Sequence, residues 1–184
     1  MKRLFCAVKI KPSGEITDAI YHFRESLTKE RINWVSPENL HLTLKFFGDT
    51  PVRDLDAIVQ ALQKAASLAS PFSFSIKGCG TFGNPRMPRV LWFGIDQPHG
   101  LQSLYHTVNK ALEPLGYVPD KKVFVPHLTI GRIRHLEDTR ILQELLGEYE
   151  ESGFGKVMVT RFHLFESILR PQGPEYHILE NFSL

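Results

Sequence analysis

The chain has 184 residues, 42% of them hydrophobic, which suits one unit with a sizeable core and is too short for two ordinary domains. Its 22 Lys and Arg against 20 Asp and Glu leave a formal net charge of +2 at pH 7. That balance excludes the strongly basic footprint of a protein that grips long nucleic acid through many phosphates, and it fits a ligand carrying one or a few.

Taken in chain order, Leu4 to Ile10 is expected as a strand; its apolar run to Val8 is cut off by Lys9 and Lys11, too short for a signal-peptide core. Ser13 is expected to cap a helix whose Ile16, Ile20, Phe23 and Leu27 fall on one stripe. Leu40 to Gly48 alternates as a strand, after which Thr50 as N-cap and Pro51 at the first helical position are expected to open a second helix. Its apolar side would be Leu55, Ile58, Val59, Leu62 and Ala66. Phe72 to Cys79 and Val90 to Ile95 are expected strands, joined by an irregular Gly80 to Arg89 loop. A third helix is expected from about Gly100 to Glu113, closed by Pro114. Val123 to Gly131 reads as another strand, Thr139 to Leu146 as a short helix, and the chain closes with strands around Lys156 to Ser167 and Glu175 to Phe182.

The order of elements roughly repeats between the halves, and no low-complexity linker divides them. Residues 1–184 are therefore expected to form a single domain with two pseudo-symmetric lobes. No stretch approaches the ~20 apolar residues that span a bilayer, and Cys6 and Cys79 are too few for a disulfide framework. A cytoplasmic protein with reduced, buried thiols and no membrane association is expected.

The feature with the most chemical content is a phrase written twice, His41-Leu42-Thr43-Leu44 and His127-Leu128-Thr129-Ile130. With 8 His, 22 Leu and 9 Thr in the chain, about 0.05 His-Leu-Thr tripeptides are expected by chance. In a strand, residues two apart share a face, so each His lies beside its Thr while Leu42, Leu44, Leu128 and Ile130 point to a core. A single copy would more simply be a histidine bonded to its sheet neighbours. Two copies in matching strands favour paired chemistry.

These paired His-x-Thr-x motifs resemble those of the two-histidine (2H) phosphoesterase superfamily, and the flanking text is similar to its RNA 2′,3′-cyclic phosphodiesterase branch, also called the RNA 2′,5′-ligase family. The first motif extends the likeness through Trp34-Val35, Pro37-Glu38-Asn39 and on to Phe46 and Gly48, the second through Phe124, Pro126 and Gly131-Arg132. Pro88 to Trp92, Leu164 to Ser167 and Pro171 to Tyr176 add to it. Phe47 departs from the usual aliphatic residue and puts nothing catalytic in doubt. The resemblance implies an α+β fold, a bilobal pseudo-two-fold arrangement of mostly antiparallel sheets with helices outside and a central cleft.

It implies an activity too: hydrolysis of the 2′,3′-cyclic phosphate ends of RNA or nucleotides to 2′-phosphates, with reverse 2′,5′ joining as a side reaction. His41 and His127 would be catalytic, with His127 as base and His41 as acid. Imidazole, with its ordinary pKa near ~6.5, can hold either role at neutral pH. Thr43 and Thr129 are the candidate donors to the phosphate oxygens, and Arg132 resembles the arginine that closes the second motif. Phe46 stands at the matching place in the first motif. Both lie five residues after the His, which in a regular strand is the opposite face; a bulge near Gly131 would restore Arg132, whereas Phe46 is expected in the core, with stacking on a base the alternative.

Lys45 shares the His41 face on paper, as a phosphate contact or a solvated lysine. Arg86, Arg89, Lys121 and Lys122 could guide an RNA end or be ordinary surface charge, while Ser167 and Tyr176 are expected to be structural. No metal-ligand spacing is present, so no cofactor or metal is expected, and a monomer is the default state. Alternatives that remain open are a phosphodiesterase acting on 2′,5′-linked oligonucleotides or ADP-ribose cyclic phosphate, and a non-catalytic binder of RNA ends.

Overall fold

The computed structural model describes residues 1–119, 123–171 and 173–184. Strand β1 (Lys2–Lys9) leads to helix α1 (Gly14–Ser26), which is capped by Ser13: its Oγ accepts from the Ile16 N–H at 3.3 Å and donates to the Phe154 carbonyl at 3.0 Å. One hydroxyl thus starts the helix and ties it to a strand far along the chain. Ile16, Ile20, Phe23 and Leu27 are all buried.

A short strand, β2 (Arg31–Trp34), comes next, then a 3₁₀ turn over Pro37–Asn39 and strand β3 (His41–Thr50). Helix α2 (Leu55–Ser67) begins later than the sequence suggests. Thr50 is the buried last residue of β3, its hydroxyl donating to the Gly48 carbonyl at 3.2 Å, and a 3₁₀ turn over Val52–Asp54 intervenes before the helix. The Thr-Pro pair therefore ends a strand instead of capping a helix.

Strands β4 (Phe72–Asn84) and β5 (Met87–Asp96) absorb most of the segment expected to be a loop. They form a long hairpin with Thr81 opposite Leu91, Phe82 opposite Val90 and Asn84 opposite Met87. Gly83, at φ 118°, sits at a register shift in this ladder. The glycine that looks like a loop signal is a bulge position within a strand. At the tip the Asn84 side chain accepts from the Arg86 N–H at 2.9 Å, closing the turn.

Helix α3 (His99–Leu112) precedes β6 (His127–His135), α4 (Thr139–Glu148), β7 (Gly153–Val159), β8 (Arg161–Arg170) and β9 (Gly173–Ser183). The second motif strand starts only at His127, because Pro126 offers no N–H to a ladder, and Val123 and Val125 stay exposed. The expected strand across Lys156 to Ser167 is two: after Val159 the chain passes Thr160 and changes sheet.

All pairings are antiparallel, in a four-stranded sheet ordered β3-β1-β8-β9 and a five-stranded sheet ordered β2-β6-β5-β4-β7. The two lobes exchange helices: α1, from the first half, packs against β7, while α3, from the second half, packs against β3 and α2. The main core is correspondingly continuous, running from Leu4 on β1 through Phe23, Phe74, Phe93 and Leu128 to Phe182 on β9. A separate small cluster of Phe5, Ala7 and Phe165, with Tyr176 packed on it, covers the other face of the four-stranded sheet. That face meets the cleft, so β3 and β6 each present one side to the core and the other to the space between the sheets.

Candidate active site

His41 is the first residue of β3, placed by the preceding 3₁₀ turn. Its Nδ1 lies 2.6 Å from the Asn39 carbonyl. His127 is the first residue of β6, with Nδ1 at 2.8 Å from the Val125 carbonyl. A carbonyl can only accept, so in both rings Nδ1 carries the proton and donates to the backbone two residues upstream. Nε2 is left in each case as the nitrogen that can exchange a proton with a ligand.

The two rings rest on different supports. His41 sits against Phe5 at 4.9 Å and meets Tyr176 edge-on at 5.3 Å between centroids. His127 meets Phe82 edge-on at 4.7 Å. Asn39 is held in turn through its Nδ2, which donates to the Pro174 carbonyl at 3.0 Å and links the approach to β3 with the start of β9.

Both histidines line one cleft of about 510 Å³, together with Thr43, Thr129, Arg132 and Tyr176. Leu42 and Leu128 between them are buried on the core side, as the alternation requires. Burial holds both imidazoles below their ordinary pKa, opposed in each by the upstream carbonyl. The Arg132 charge lowers both further, and His127 adds to the lowering at His41. At neutral pH the unliganded site thus favours two neutral rings beside the Arg132 guanidinium.

The position five residues after each His depends on a bulge. Where β6 pairs with β5, Thr129 lies opposite Trp92 and Gly131 opposite Leu91, so Ile130 is the extra residue. Ile130 and Gly131 are both buried, and Arg132 returns to the exposed face that carries Thr129. In β3 the same thing happens: Thr43 lies opposite Ala7 and Lys45 opposite Cys6, leaving Leu44 extra.

Two expectations for β3 are corrected by that bulge. Phe46 is not a core residue; it is 50% exposed, with the Arg3 guanidinium carbon 4.9 Å from its ring centroid. Lys45 does not share the His41 face: it is buried, and its Nζ donates to the Val118 carbonyl at 2.5 Å. Period-two counting through Leu44 puts each on the wrong side.

Tyr176 is more than structural padding, since it forms part of the cleft wall over His41; burial raises its phenol pKa. Trp34, Phe124, Glu38 and Glu175 also line the cleft and are not singled out by the sequence, where they stand only as flanking text. Ser167 borders an adjoining hollow that shares His41 and Arg132. Arg86 and Arg89 lie at the β4–β5 hairpin, while Lys121 and Lys122 lie outside the described residues. Cys6 is buried and Cys79 half-buried, both free thiols, with Cys79 pushed up to about 11 mainly by burial. No described helix is long and apolar enough to cross a membrane.

Comparison with known proteins accounts for the repeated motif. The family model described as LigT like Phosphoesterase matches twice, over residues 10–92 and 94–176, so each match contains one His-x-Thr phrase. A curated relative from Methanothermobacter thermautotrophicus, named RNA 2′,3′-cyclic phosphodiesterase, is 34% identical over 184 residues, covering 99% of this chain and 98% of its own. One from Archaeoglobus fulgidus with the same name is 35% identical, covering 98% of this chain and 99% of its own. Among solved structures, a Thermus thermophilus protein superposes with a TM-score of 0.79 at 30% identity, covering 99% of this chain and 97% of that one. The E. coli LigT complexed with 3′-AMP gives 0.74 at 25% identity, covering 100% and 98%.

Proposed function

The chain belongs to the LigT-like phosphoesterase family, and from that membership we propose that it opens the 2′,3′-cyclic phosphate end of RNA or of a nucleotide to a 2′-phosphate, in the cytoplasm, using two histidines and no metal. The supporting observation is the mirrored tethering of His41 and His127, each through Nδ1 to the carbonyl two residues upstream, on the wall of one cleft. A pair of fixed tautomers whose Nε2 atoms meet one ligand is what a proton-in, proton-out reaction needs.

In that reaction Nε2 of His127 takes a proton from water as its oxygen attacks phosphorus. The bond from phosphorus to the ribose 3′ oxygen breaks, and protonated Nε2 of His41 delivers a proton to that oxygen. Burial that destabilises the His41 cation makes it a stronger acid once charged. Negative charge on the non-bridging oxygens is met by the hydroxyls of Thr43 and Thr129 and by the guanidinium of Arg132. The bulges matter here, since without them Arg132 would face away from the phosphate. Replacing water by the 5′ hydroxyl of a second RNA, with the same bond from phosphorus to the 3′ oxygen breaking, would join ends through a 2′,5′ bond with the same acid and base.

The names of the curated relatives support the same substrate. Product analysis tests the reading: an RNA ending in a 2′,3′-cyclic phosphate should give a 2′-monophosphate end, in the presence of EDTA as in its absence. A 3′-phosphate product would reverse the leaving group and the acid/base assignment. Binding without turnover would make the protein a reader of RNA ends.

A further inference from the structure

The hollows around the two histidines differ in charge, one mixed and the others basic. The main cleft carries two carboxylates, Glu38 and Glu175, the latter paired with Arg170 at 3.0 Å, beside the aromatic rings of Trp34 and Phe124. A second hollow of about 550 Å³ opens from the same His41, Thr43 and Arg132 towards the other side, and its lining holds Arg3 and Arg134 but no carboxylate. A third, of about 180 Å³, shares Arg134 and adds Arg86, Arg89 and His135, again with no acidic residue. Arg132, Arg134 and the hairpin arginines therefore form a line, starting at the reacting phosphate and leaving the site along β6 towards the end of the five-stranded sheet where the β4–β5 hairpin turns.

The geometry of that line suits a polymer. Arg132 and Arg134 flank buried Ile133 on β6 and both line the second hollow, Arg134 being the extra residue at a register shift between β6 and β2. Among the described residues none of Arg3, Arg86, Arg89, Arg132 or Arg134 is in an ion pair with a carboxylate. Arg3 stands opposite Asp49 in the β1–β3 register, yet its guanidinium lies over Phe46 instead. Arginines left without a carboxylate in a chain with a net charge of only +2 concentrate positive potential along one path.

We propose that Arg134, Arg3 and the hairpin pair Arg86 and Arg89 form a track for the internucleotide phosphates of a single-stranded RNA 3′ end, continuing from Arg132 at the cyclic phosphate. The terminal nucleoside then occupies the part of the cleft that carries Trp34, Phe124 and the two carboxylates, where a base can stack or donate. The proposal rests on the cyclic phosphodiesterase reading for its chemistry. It adds that the preferred substrate is an oligonucleotide, with the chain leaving towards the β4–β5 hairpin.

The test compares a 2′,3′-cyclic mononucleotide with an oligoribonucleotide of about six residues carrying the same end. Wild type and the variants Arg134→Gln and Arg86→Gln/Arg89→Gln are assayed for turnover, and separately for binding of the 2′-phosphate-ended oligonucleotide by fluorescence anisotropy. Wild type should favour the oligonucleotide through KM. Each variant should raise the oligonucleotide KM about threefold to fivefold per charge removed, at unchanged kcat, and leave mononucleotide turnover alone. The salt dependence of oligonucleotide binding should flatten by about 0.7 in the log–log slope for each lost contact. Equal handling of the two substrates by wild type, or equal losses on both in the variants, overturns the track. If wild type opens no cyclic phosphate while the variants still lose oligonucleotide binding and salt slope, the reaction assignment fails and the track stands. Normal turnover with unchanged binding in the variants overturns the track and leaves the reaction assignment standing.

Discussion

Strands β3 and β6 carry the same text and the same bulge but occupy different places. β3 is the free edge of its sheet, whereas β6 lies between β2 and β5. In each, His and Thr face the cleft, one residue bulges, and the fifth residue after the His comes back to the cleft side. The residue next to the bulge is dictated by its neighbours. Beside β3 there is room for the stem of Lys45, whose ammonium secures Val118; Asn109 Nδ2 of α3 also reaches the carbonyl of the bulged Leu44 at 3.5 Å. At the same place on β6 stands Gly131, where an added Cβ would come within 3.0 Å of Ile32 Cγ2 and 3.3 Å of the Trp34 ring. The Ile130 carbonyl there is taken by the Val35 N–H at 2.9 Å. The shared geometry belongs to the reaction, and the differences belong to the sheets.

The largest expected effect tests whether the two copies do different jobs. His41→Ala and His127→Ala should each lower kcat by roughly 10²–10⁴-fold while remaining folded. A cyclic substrate with sulfur at the 3′ bridging position discriminates between them, because a thiolate leaves without being protonated. It should restore His41→Ala by about tenfold or more and do nothing for His127→Ala. Equal rescue of both, or of His127→Ala alone, would break the assignment of acid and base. Next in size, Arg132→Gln should cost about 10²-fold and Thr129→Val roughly tenfold; the half-buried Thr129 should outweigh the exposed Thr43.

How far the sequence can be read depends on where periodicity holds. Each helix stripe, such as Ile16, Ile20, Phe23 and Leu27, emerges intact, because tertiary packing uses the period that the pattern displays. The pairing of each His with its Thr is legible for the same reason. Counting by two fails at Leu44, since a bulge leaves no mark in residue type, and so it puts Phe46 and Lys45 on the wrong faces. It fails too in Gly80 to Arg89, where Gly and Pro read as a loop although Gly83 serves a register shift in a long hairpin. Strand β2 has four residues and no apolar alternation strong enough to notice, yet it walls the site with Trp34. Tyr176 is far from both motifs in the chain, and the successive pairings of β3 with β1, β1 with β8 and β8 with β9 bring it over His41.

A smaller effect sharpens the contrast between the two bulges. Gly131→Ala must displace the Ile32 and Trp34 side chains of β2 by a few tenths of an ångström, at a cost of about 1–3 kcal/mol from overpacking. Since β2 and the segment after it line the cleft, KM should rise as well. Lys45→Met removes one hydrogen bond from the Val118 carbonyl and should destabilise by about 1 kcal/mol, leaving kcat within roughly twofold. Denaturation midpoints and steady-state kinetics on the two variants give the comparison. A collapse of kcat in Lys45→Met would return Lys45 to the reaction.

The smallest expected effect is a displacement along the pH axis. Both imidazoles are held below their ordinary value, chiefly by burial. In the proposed mechanism the acid limb of kcat/KM reports deprotonation of His127 and the alkaline limb loss of the proton from His41. Lowering both moves the whole bell of the free enzyme to the acid side of ~6.5, so that kcat/KM should fall as pH rises from about 6.5 to about 8. Bound phosphate is an anion and favours the charged rings, so the kcat profile should lie at higher pH than that of kcat/KM. Arg132 lowers both rings as well, and Arg132→Gln should therefore shift the kcat/KM bell to higher pH even as it reduces its height. A bell that moves to lower pH in this variant would mean that the guanidinium does not act on the two histidines together, and the convergence of the two motif strands on one phosphate would lose its electrostatic support.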